Sequence, residues 1–342
     1  MDVKRFAEAD AIHWDHFVRQ HEDGSFFHLT GWKQVIERTF GYQSSYLSLE
    51  DRGQLVAVLP LFKVKSPLCR VAFTSVPFGV YGGILASSSS AYSELMAKAK
   101  ALAEEQRAAY VEFKNIRKRD EDLPTKDLYV TFIQDLDPDP AINFELIPRK
   151  TRRMVRVSLR NELEAEFTRE GIDEFYEIYA HSLHWLGTPV FPKRLFQNIL
   201  QTFPECFFLF VRHRGRRIAG VLTLVYGGSL LPYYGGSYRE YNHLGANNFM
   251  YWKLIEHGCQ TGYKRFDFGR SKKNAGSGSY DYKRHWGMQE ISLEYQYYLS
   301  PGEHLPNVSP ANPKFKLLVE TWKRLPFPLT KILGPRLVRY FP

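Results

Sequence analysis

The sequence contains few cysteines for its 342 residues: Cys69, Cys206 and Cys259 lie far apart and in no spacing typical of a metal or redox site. A disulfide framework is therefore excluded, and a reduced, intracellular protein is expected. The sequence also lacks a run of about 18 apolar residues, so no membrane-spanning helix is predicted. Its first residues include Asp2 and Glu8 and no apolar stretch, which argues against a signal peptide and favours a cytoplasmic location.

Familiar catalytic and metal-binding patterns are missing as well. No Gly-x-Ser-x-Gly or P-loop pattern occurs, which argues against a hydrolase nucleophile elbow and a P-loop nucleotide site. The pairs His13/His16 and His181/His184 have helical spacing, but no third ligand of matching context accompanies either pair. The sequence therefore predicts no metal site and no tightly bound cofactor.

Acidic residues are the scarcer charged type, and the net charge is +9. This excess suggests an anionic partner such as a nucleic acid, a nucleotide, a polyphosphate or a membrane surface. Basic residues cluster at 149–156 and 212–217, for which a solvated helix face and a hairpin tip are the alternative interpretations. The segment 313–342 mixes Lys and Arg with Leu, Trp and Phe, as a membrane-surface helix does, but its prolines favour packing against the body of the protein.

Three short patterns recur in the same order in the two halves of the chain. They are GQLVAVL at 53–59 and GRRIAGV at 215–221, YGG at 81–83 and 234–236, and VEFK at 111–114 and FDFG at 266–269. The offset is about the size of one domain, so a duplicated domain is predicted. Between the second and third patterns each half carries a predicted helix, at 91–106 and 246–260.

The predicted elements are those of a mixed α/β protein. Further helices are expected at 11–21, 31–40, 148–159, 172–184 and 192–201. Strands are expected at 45–50, 55–62, 110–114, 128–134, 163–168, 207–212, 218–226, 230–235 and 265–268. Because a strand, a helix and a strand follow antiparallel strands, each half is predicted to form a mixed, mostly antiparallel sheet with a parallel pair. The turn-forming residues 135–140 mark the predicted domain boundary.

Several motifs in combination resemble the FemAB/FemX family, and most closely the FemAB-like proteins of exosortase and exopolysaccharide systems. They are SFFHLTGW at 25–32, LGTP at 186–189, YGGS at 234–237, FDFGRS at 266–271 and YKRHWG at 282–287. The resemblance implies two tandem GNAT-like domains, at 1–145 and 146–300, the second catalytic and the first degenerate and shaping the acceptor site. It also implies that a C-terminal extension, 301–342, returns to the first domain.

The resemblance places Lys283 at the reacting carbonyl, where acyl transfer needs positive charge on a developing oxyanion. Tyr282 stands where relatives have Phe and is expected to offer a cation–π face. A flexible loop at 276–278 precedes them. From its position at a strand end, Asp267 is predicted to align Lys283 or Arg270. Tyr234 is predicted as a proton donor or as a wall of the donor channel, with a packed core tyrosine as the alternative.

The donor is predicted to bind at the start of the 246–260 helix, where free N–H groups attract anions. The residues assigned to the donor are Gly245, Ala246, Asn247, Asn248, Arg270, Ser271, Arg152 and Arg153. Relatives use aminoacyl-tRNA, and the basic run 149–156 favours that donor. Acyl-CoA or an acyl-carrier protein is the competing donor, although Asn242 and Asn247 depart from the pattern of CoA-dependent GNAT enzymes.

The acceptor side is carried over from the resemblance alone. Trp32 and Lys33 match the family's N-terminal Gly-Trp segment, and Thr188, Pro189 and Lys193 match its acceptor-side segment. Phe191 stands near the position of an arginine that relatives use for a nucleotide diphosphate, which argues against a UDP-linked acceptor.

Three functions from different classes remain open on the sequence. The leading prediction is an N-acyl or aminoacyl transferase acting on an amine of a cell-envelope precursor or exopolysaccharide component. The second is a non-catalytic protein that binds an anionic glycan or nucleic acid. The third is a peripheral protein that touches the inner face of the membrane through 313–342.

Overall fold

The computed structural model describes residues 2–66, 69–273, 278–306 and 313–340. The α-helices in chain order are α1 Ala11–Gln20, α2 Thr30–Phe40, α3 Ser89–Glu105, α4 Pro140–Leu146, α5 Arg149–Ser158, α6 Ile172–Leu186, α7 Lys193–Thr202, α8 Ala246–Gln260, α9 Gly278–Arg284, α10 Pro313–Arg324 and α11 Phe327–Val338. The strands of the first half are β1 Asp2–Arg5, β2 Gln43–Ser44, β3 Leu47–Asp51, β4 Gln54–Leu59, β5 Phe62–Ser66, β6 Cys69–Thr74, β7 Leu85–Ala86, β8 Tyr110–Asn115 and β9 Thr125–Asp135. Those of the second half are β10 Leu163–Thr168, β11 Phe207–His213, β12 Arg216–Tyr226, β13 Ser229–Ser237, β14 Arg265–Asp267, β15 Ser271–Lys272 and β16 Gln289–Leu299.

The chain divides into two compact units at positions that differ from the predicted boundaries. The first unit comprises residues 1–129, 292–307 and 339–342, and the second comprises 130–291 and 308–338. The predicted boundary at 145/146 relied on the turn residues 135–140. In the structure Asp139 caps α4, accepting from the Ala141 N–H at 2.8 Å. Because Ile133, Gln134 and Asp135 pair with β14, the division falls earlier, within β9.

The first unit contains two sheets and one crossover helix. One sheet has the order β1-β3-β4-β7, and the strands β16-β8-β6-β5-β2 are neighbours in the other. The pair β6 and β8 is parallel, and α3 lies between these strands in the chain. The α3 side chains Leu95, Ala99 and Ala103 are fully buried in the core of this unit, which agrees with the amphipathic pattern of the predicted helix.

The second unit has the strand order β10-β11-β12-β13-β14-β9. Its pairs are antiparallel except β13 and β14, which are parallel and are connected by α8. The core between α8 and the sheet includes Phe249, Leu254 and Ile255 of the helix and Phe266 of β14. The predicted fold class, a mixed and mostly antiparallel sheet with flanking helices in each half, is confirmed.

The structure bears out two of the three sequence echoes. The hairpin turns before β4 and β12 have the same backbone, with positive φ at Arg52 and Gly53 and again at Arg214 and Gly215, as two-residue hairpin turns require. The third echo lies on β8 and β14, each a partner in the parallel pair of its unit. The YGG echo differs, since 81–83 lies outside regular structure and 234–236 lies within β13.

The C-terminal helices pack on the second unit, which corrects the prediction that 301–342 returns to the first domain. Phe327 of α11 stacks on His181 of α6 with 3.8 Å between ring centroids. The His184 Nε2 lies 3.0 Å from the Leu325 carbonyl oxygen. Within 301–342, residues 301–307 and 339–342 belong to the first unit, where the Tyr42 hydroxyl donates to the Arg339 carbonyl. The prediction was wrong for 308–338 because Phe327 and Leu325 find their partners on α6 of the second unit.

Two further sequence expectations can be compared with the described residues. None of the helices in the described ranges is both long and apolar enough to cross a membrane. Cys206 and Cys259 are free thiols, and burial raises the pKa of both. A buried thiol of this kind behaves as a small apolar side chain.

Candidate active site

The parallel strands β13 and β14 separate soon after they meet. Their pairing joins Ser229 and Leu230 to Arg265 and Phe266. On its other side β13 has a bulge opposite β12, since Tyr234 pairs with Leu222 while Pro232 pairs with Thr223. A bulge bends the strand that carries it. Ligands of open α/β sheets bind at the carboxyl ends of the parallel strands, so the segments 233–237 and 267–270 form the candidate site.

Lys283 reaches this strand end from α9. Its ammonium donates to three successive carbonyl oxygens, those of Phe268 at 2.6 Å, Gly269 at 3.0 Å and Arg270 at 3.3 Å. The carbonyls converge because Gly269 has a φ of +67°, where the chain turns tightly. Burial lowers the pKa of Lys283 to about 8, with Asp267 opposing this shift and Arg270 adding to it. The group is still an ammonium at neutral pH.

Asp267 fixes the turn at Gly269 by a hydrogen bond to its backbone. Its carboxylate accepts from the Thr131 hydroxyl at 2.6 Å and from the Gly269 N–H at 2.8 Å, and the residue is almost fully buried. Its charge acts on Lys283 by raising the pKa of the ammonium. Asp267 therefore acts on Lys283 in two ways, by fixing the Gly269 turn whose carbonyl binds the ammonium and by the negative charge of its carboxylate. Thr131 was not identified from the sequence, because it lies on β9, far from Asp267 in the chain.

Tyr234 is buried among aromatic side chains, as the alternative prediction of a packed core tyrosine requires, and its role as a proton donor or channel wall stays a prediction. Its ring is surrounded by Phe196 and Phe191, with centroids at 5.2 Å and 5.6 Å, and its hydroxyl has no hydrogen-bond partner among the described residues. Burial raises the pKa of Tyr234 well above the usual range, and the neighbouring Tyr179 adds to this rise. A phenolate at neutral pH is therefore excluded. An orphaned buried hydroxyl is costly, so a ligand carbonyl that accepts from it gains a strong interaction.

Tyr282 does not take the predicted cation–π position. Its ring packs on Tyr251 and Trp286, with centroids at 5.8 Å and 6.4 Å, and belongs to the edge of the core. The Lys283 ammonium instead lies 5.9 Å from the centroid of Phe268. Successive helical residues point in directions about 100° apart, so the residue before Lys283 faces the core. The predicted loop residues 276 and 277 lie outside the described residues.

The start of α8, where the donor is predicted to bind, is formed by Gly245 and the residues that follow it. Gly245 has a φ of +70° and caps the helix, and its own N–H donates to the Asn242 carbonyl at 3.1 Å. A Cβ on Gly245 would lie 3.0 Å from the Cβ of Ser158, so α5 ends against this helix terminus. The Asn247 amide donates to the Ser237 hydroxyl at 3.2 Å, which ties the helix to the end of β13. Ala246 is buried, whereas Asn248 is half-buried.

The other predicted donor residues have different surroundings. The Arg152 guanidinium is held by the Glu145 carboxylate, whereas Arg153 is exposed. The exposed cations of this basic helix and its end are Arg149, Lys150, Arg153, Arg156 and Arg160. Arg270 is half-buried beside the Lys283 turn, and its charge opposes the burial that raises the pKa of Tyr234. Ser271 is buried in β15, and its hydroxyl has no partner among the described residues.

A pocket of about 600 Å³ adjoins the start of α8, and sequence analysis missed it. Ser237, Asn242 and Asn247 line it from one side, and Trp185 from the end of α6 lines the other. The Arg239 guanidinium lies 3.5 Å from the centroid of the half-exposed Trp185 ring. No local pattern predicts this stack, because the two residues are far apart in sequence and meet only when α6 packs on β13.

The close packing of α6 on β13 gives a stability prediction. A Cβ on Gly236 would lie 2.9 Å from the Ser182 Cβ and 3.1 Å from the Ile178 carbonyl oxygen. We expect Gly236→Ala to lower the free energy of unfolding by about 1–3 kcal/mol because the helix must move outward. Urea denaturation measures the change. The control is Gly278→Ala, whose Cβ meets nothing within 4 Å, and an equal loss in both variants contradicts the packing argument.

The predicted acceptor residues of the first unit are not open to a ligand. Trp32 is completely buried and packs edge-on against Phe27 at 5.1 Å. It is therefore a core residue, which corrects its assignment. The Lys33 ammonium is bonded to the carboxylates of Glu8 at 2.7 Å and Glu37 at 3.1 Å. The amphipathic spacing of α2 decides that Trp32 faces the core and Lys33 the carboxylates. The motif resemblance carried no information on burial and therefore could not show this.

In the second unit, Thr188 is exposed and Pro189 half-buried in the loop after α6, and Lys193 pairs with Asp173 at 2.6 Å. This segment is separate from the Lys283 turn in the chain, and its acceptor role stays a prediction. The His181 and His184 rings contact Phe327. Across the described ranges no group of three or more His, Cys, Asp or Glu side chains is arranged for a metal ion.

Comparison with known proteins matches the second unit to a domain family. The model described as acetyltransferase (GNAT) domain matches residues 147–284. FemX is similar in structure, with a TM-score of 0.67 and 16% identity over 88% of this chain and 98% of that chain. No curated protein matches the sequence.

Two further solved structures are similar along nearly their whole length. One is the C-terminal domain of a putative lysylphosphatidylglycerol synthetase from Agrobacterium fabrum, with a TM-score of 0.57 and 13% identity over 92% of this chain and 95% of that chain. The other is a tandem GNAT protein from the clavulanic acid biosynthesis pathway, with a TM-score of 0.53 and 11% identity over 87% and 98%. At such identities the likeness concerns the fold, since one fold hosts many functions.

The predicted resemblance to FemX is confirmed at this level, while the exosortase-associated branch stays a prediction. Residues 147–284 match the acetyltransferase (GNAT) domain model, and the chain has a tandem GNAT-like fold.

Proposed function

We propose that this chain transfers an acyl or aminoacyl group to an amine of a cell-envelope precursor or exopolysaccharide component. The observation that carries the proposal is the ammonium of Lys283 beside the separated strands β13 and β14, within the GNAT domain. The buried hydroxyl of Tyr234 and the open start of α8 support it. The charge of Lys283 is thus held at the end of β14, and the Tyr234 hydroxyl lies on the neighbouring strand β13.

The reaction is an addition followed by an elimination. The acceptor nitrogen forms a bond to the acyl carbon, and the carbonyl oxygen becomes an oxyanion that Lys283 and Tyr234 stabilise. The bond to the leaving oxygen or sulfur then breaks, and the nitrogen proton passes to the leaving group. In the free protein the three N–H groups of Lys283 are all bonded to carbonyls. Donor binding must therefore redirect one of them, most readily the 3.3 Å bond to Arg270.

The surroundings of α8 support a donor that is rich in phosphate. The exposed cations of α5 lie on the helix whose end touches Gly245, and the Arg239–Trp185 pocket lies beside Asn247. Aminoacyl-tRNA offers phosphates to such a basic helix face. Acyl-CoA is the alternative donor, because the pocket volume and the start of α8 also suit one nucleotide.

We expect charged tRNA to bind the purified chain with a steep dependence on salt. Neutralising two exposed α5 cations, Arg149→Gln with Arg153→Gln, is expected to weaken binding about tenfold at moderate salt and to reduce the salt slope by about two. The matched control is Arg5→Gln with Arg107→Gln in the first unit, where both side chains are exposed. Filter binding at several salt concentrations measures both quantities.

Binding of acyl-CoA that survives high salt, with no tRNA binding, would replace the tRNA donor by CoA and leave acyl transfer in place. Binding of neither donor would leave two alternatives, an acyl-carrier protein as donor or a non-catalytic protein that holds an anionic glycan or nucleic acid. The full set of carbonyl partners around Lys283 is the feature that favours the non-catalytic alternative. Full retention of function after Lys283 is replaced would support this non-catalytic alternative.

A further inference from the structure

Helix α11 is apolar on the side that faces away from the protein. Its buried residues recur every four positions, at Thr330, Gly334 and Val338. Leu329 and Ile332 lie on the opposite side, with exposed fractions of 38% and 56%, and Arg336 follows one turn later. A surface helix normally presents polar residues on its outward side. We name Leu329, Ile332 and Arg336 the outward face.

The orientation of this helix is set by several contacts with the second unit. Lys331 of α11 pairs with Glu177 of α6, and Phe327 stacks on His181. Gly334 approaches the loop after α6 so closely that a Cβ would lie 2.8 Å from the Val190 nitrogen. Because the opposite side is packed in this way, rotation of the helix cannot bury the outward face.

The charged residues of the segment that contains the outward face are mostly positive, although Lys323 pairs with Glu320 and Lys331 with Glu177. Residues 318–340 contain the five basic residues Lys323, Arg324, Lys331, Arg336 and Arg339, and Glu320 is the single acidic one.

Leu186 and Leu318 add further exposed apolar surface, next to the contact between Gly187 and Val319. Apolar residues flanked by Lys and Arg match an anionic bilayer, whose surface potential attracts cations while its interface accepts Leu and Ile. Two copies of a positive face would repel each other.

We propose that the outward face of α11 docks the protein on an anionic lipid bilayer, with Leu329 and Ile332 in the interface and Arg336 at the headgroups. This inference is independent of the proposed transfer reaction. It goes beyond the composition of 313–342, because the fold decides which residues of that segment remain exposed.

Flotation of the full chain with lipid vesicles tests the proposal. We expect binding to vesicles of equal parts phosphatidylglycerol and phosphatidylcholine to exceed binding to pure phosphatidylcholine by about tenfold, and to weaken as salt is raised. Leu329→Asp with Ile332→Asp is expected to reduce binding to the anionic vesicles at least about tenfold. Thermal unfolding should change little, because Ile332 is largely exposed and Leu329 is partly exposed. Arg336→Glu is expected to weaken binding to the anionic vesicles alone.

The matched control is Ile12→Asp with Ile142→Asp, two apolar side chains that are exposed elsewhere. Retained binding in this control supports the assignment to α11. Absence of binding by the unaltered chain would overturn the proposal, as would an equal loss in the control. A dimer that the α11 variant disperses, without any vesicle binding, would also overturn it and assign the outward face to self-association.

Discussion

Replacing Lys283 with methionine is expected to lower the rate of acyl transfer by about 10²–10³-fold, the loss typical when an oxyanion donor is removed. Methionine keeps the length of the side chain and removes the three N–H donors. Donor binding should change much less than the rate, because the oxyanion exists only during the reaction. Single-turnover transfer and equilibrium donor binding, measured on the same variant, separate the two effects.

The pH dependence of the unaltered enzyme provides a second test of the same role. Since burial lowers the pKa of Lys283 to about 8, activity should fall as the pH rises through that value and the ammonium loses its proton. The contribution of Lys283 to stability should change with pH in the opposite direction to the activity. Between about pH 8 and 10.5 the unfolded chain binds more protons at this group than the folded chain, so its contribution to the free energy of unfolding rises with pH.

Lys264→Met is the matched control for this substitution. Lys264 is an exposed lysine just before β14, at the opposite end of the strand from the Gly269 turn. Its loss should leave rate and stability nearly unchanged. If Lys283→Met keeps its transfer rate and only loses stability, Lys283 is a structural clamp on three carbonyls and the proposed catalytic role is wrong.

Replacing Asp267 with asparagine is expected to lower the free energy of unfolding by roughly 1.5–3 kcal/mol, the range for hydrogen bonds to a charged group. The buried carboxylate accepts from Thr131 and from the Gly269 N–H, and an amide serves both donors less well. The charge that raises the pKa of Lys283 is removed as well. The activity limb near pH 8 should therefore move to lower pH.

The two readouts distinguish positioning from packing. Urea denaturation gives the loss of stability, and the pH profile of transfer gives the pKa of Lys283. Asp135→Asn is the control. This exposed carboxylate on β9 pairs with Arg265 at the start of β14, the strand that carries Asp267, and its replacement should change the free energy of unfolding by less than about 0.5 kcal/mol. An Asp267→Asn variant that loses stability with an unmoved pH limb would show that the carboxylate only holds the turn.

The sequence by itself determined most of the longer helices and strands and the two matching hairpin turns, because local patterns specify them, whereas β6, α9 and β16 were not predicted. The limits of β10 and α8 are those predicted, and the turns at 52–53 and 214–215 follow from glycine in paired hairpins. The motif resemblance likewise directed attention to Lys283 and to the start of α8. These features depend on residues that are near one another in the chain, where spacing and conformational preference carry most of the information.

Only the tertiary structure decided which side chains are exposed and which meet across the sheet. Trp32 has a motif match but lies in the core, and Tyr282 faces Trp286 instead of the ammonium. Thr131 reaches Asp267 from another strand, and Arg239 stacks on Trp185 from another element. Such contacts depend on strand order and helix packing, so they join residues with no fixed spacing in sequence. The outward face of α11 was decided in the same way, by the residues that α6 left uncovered.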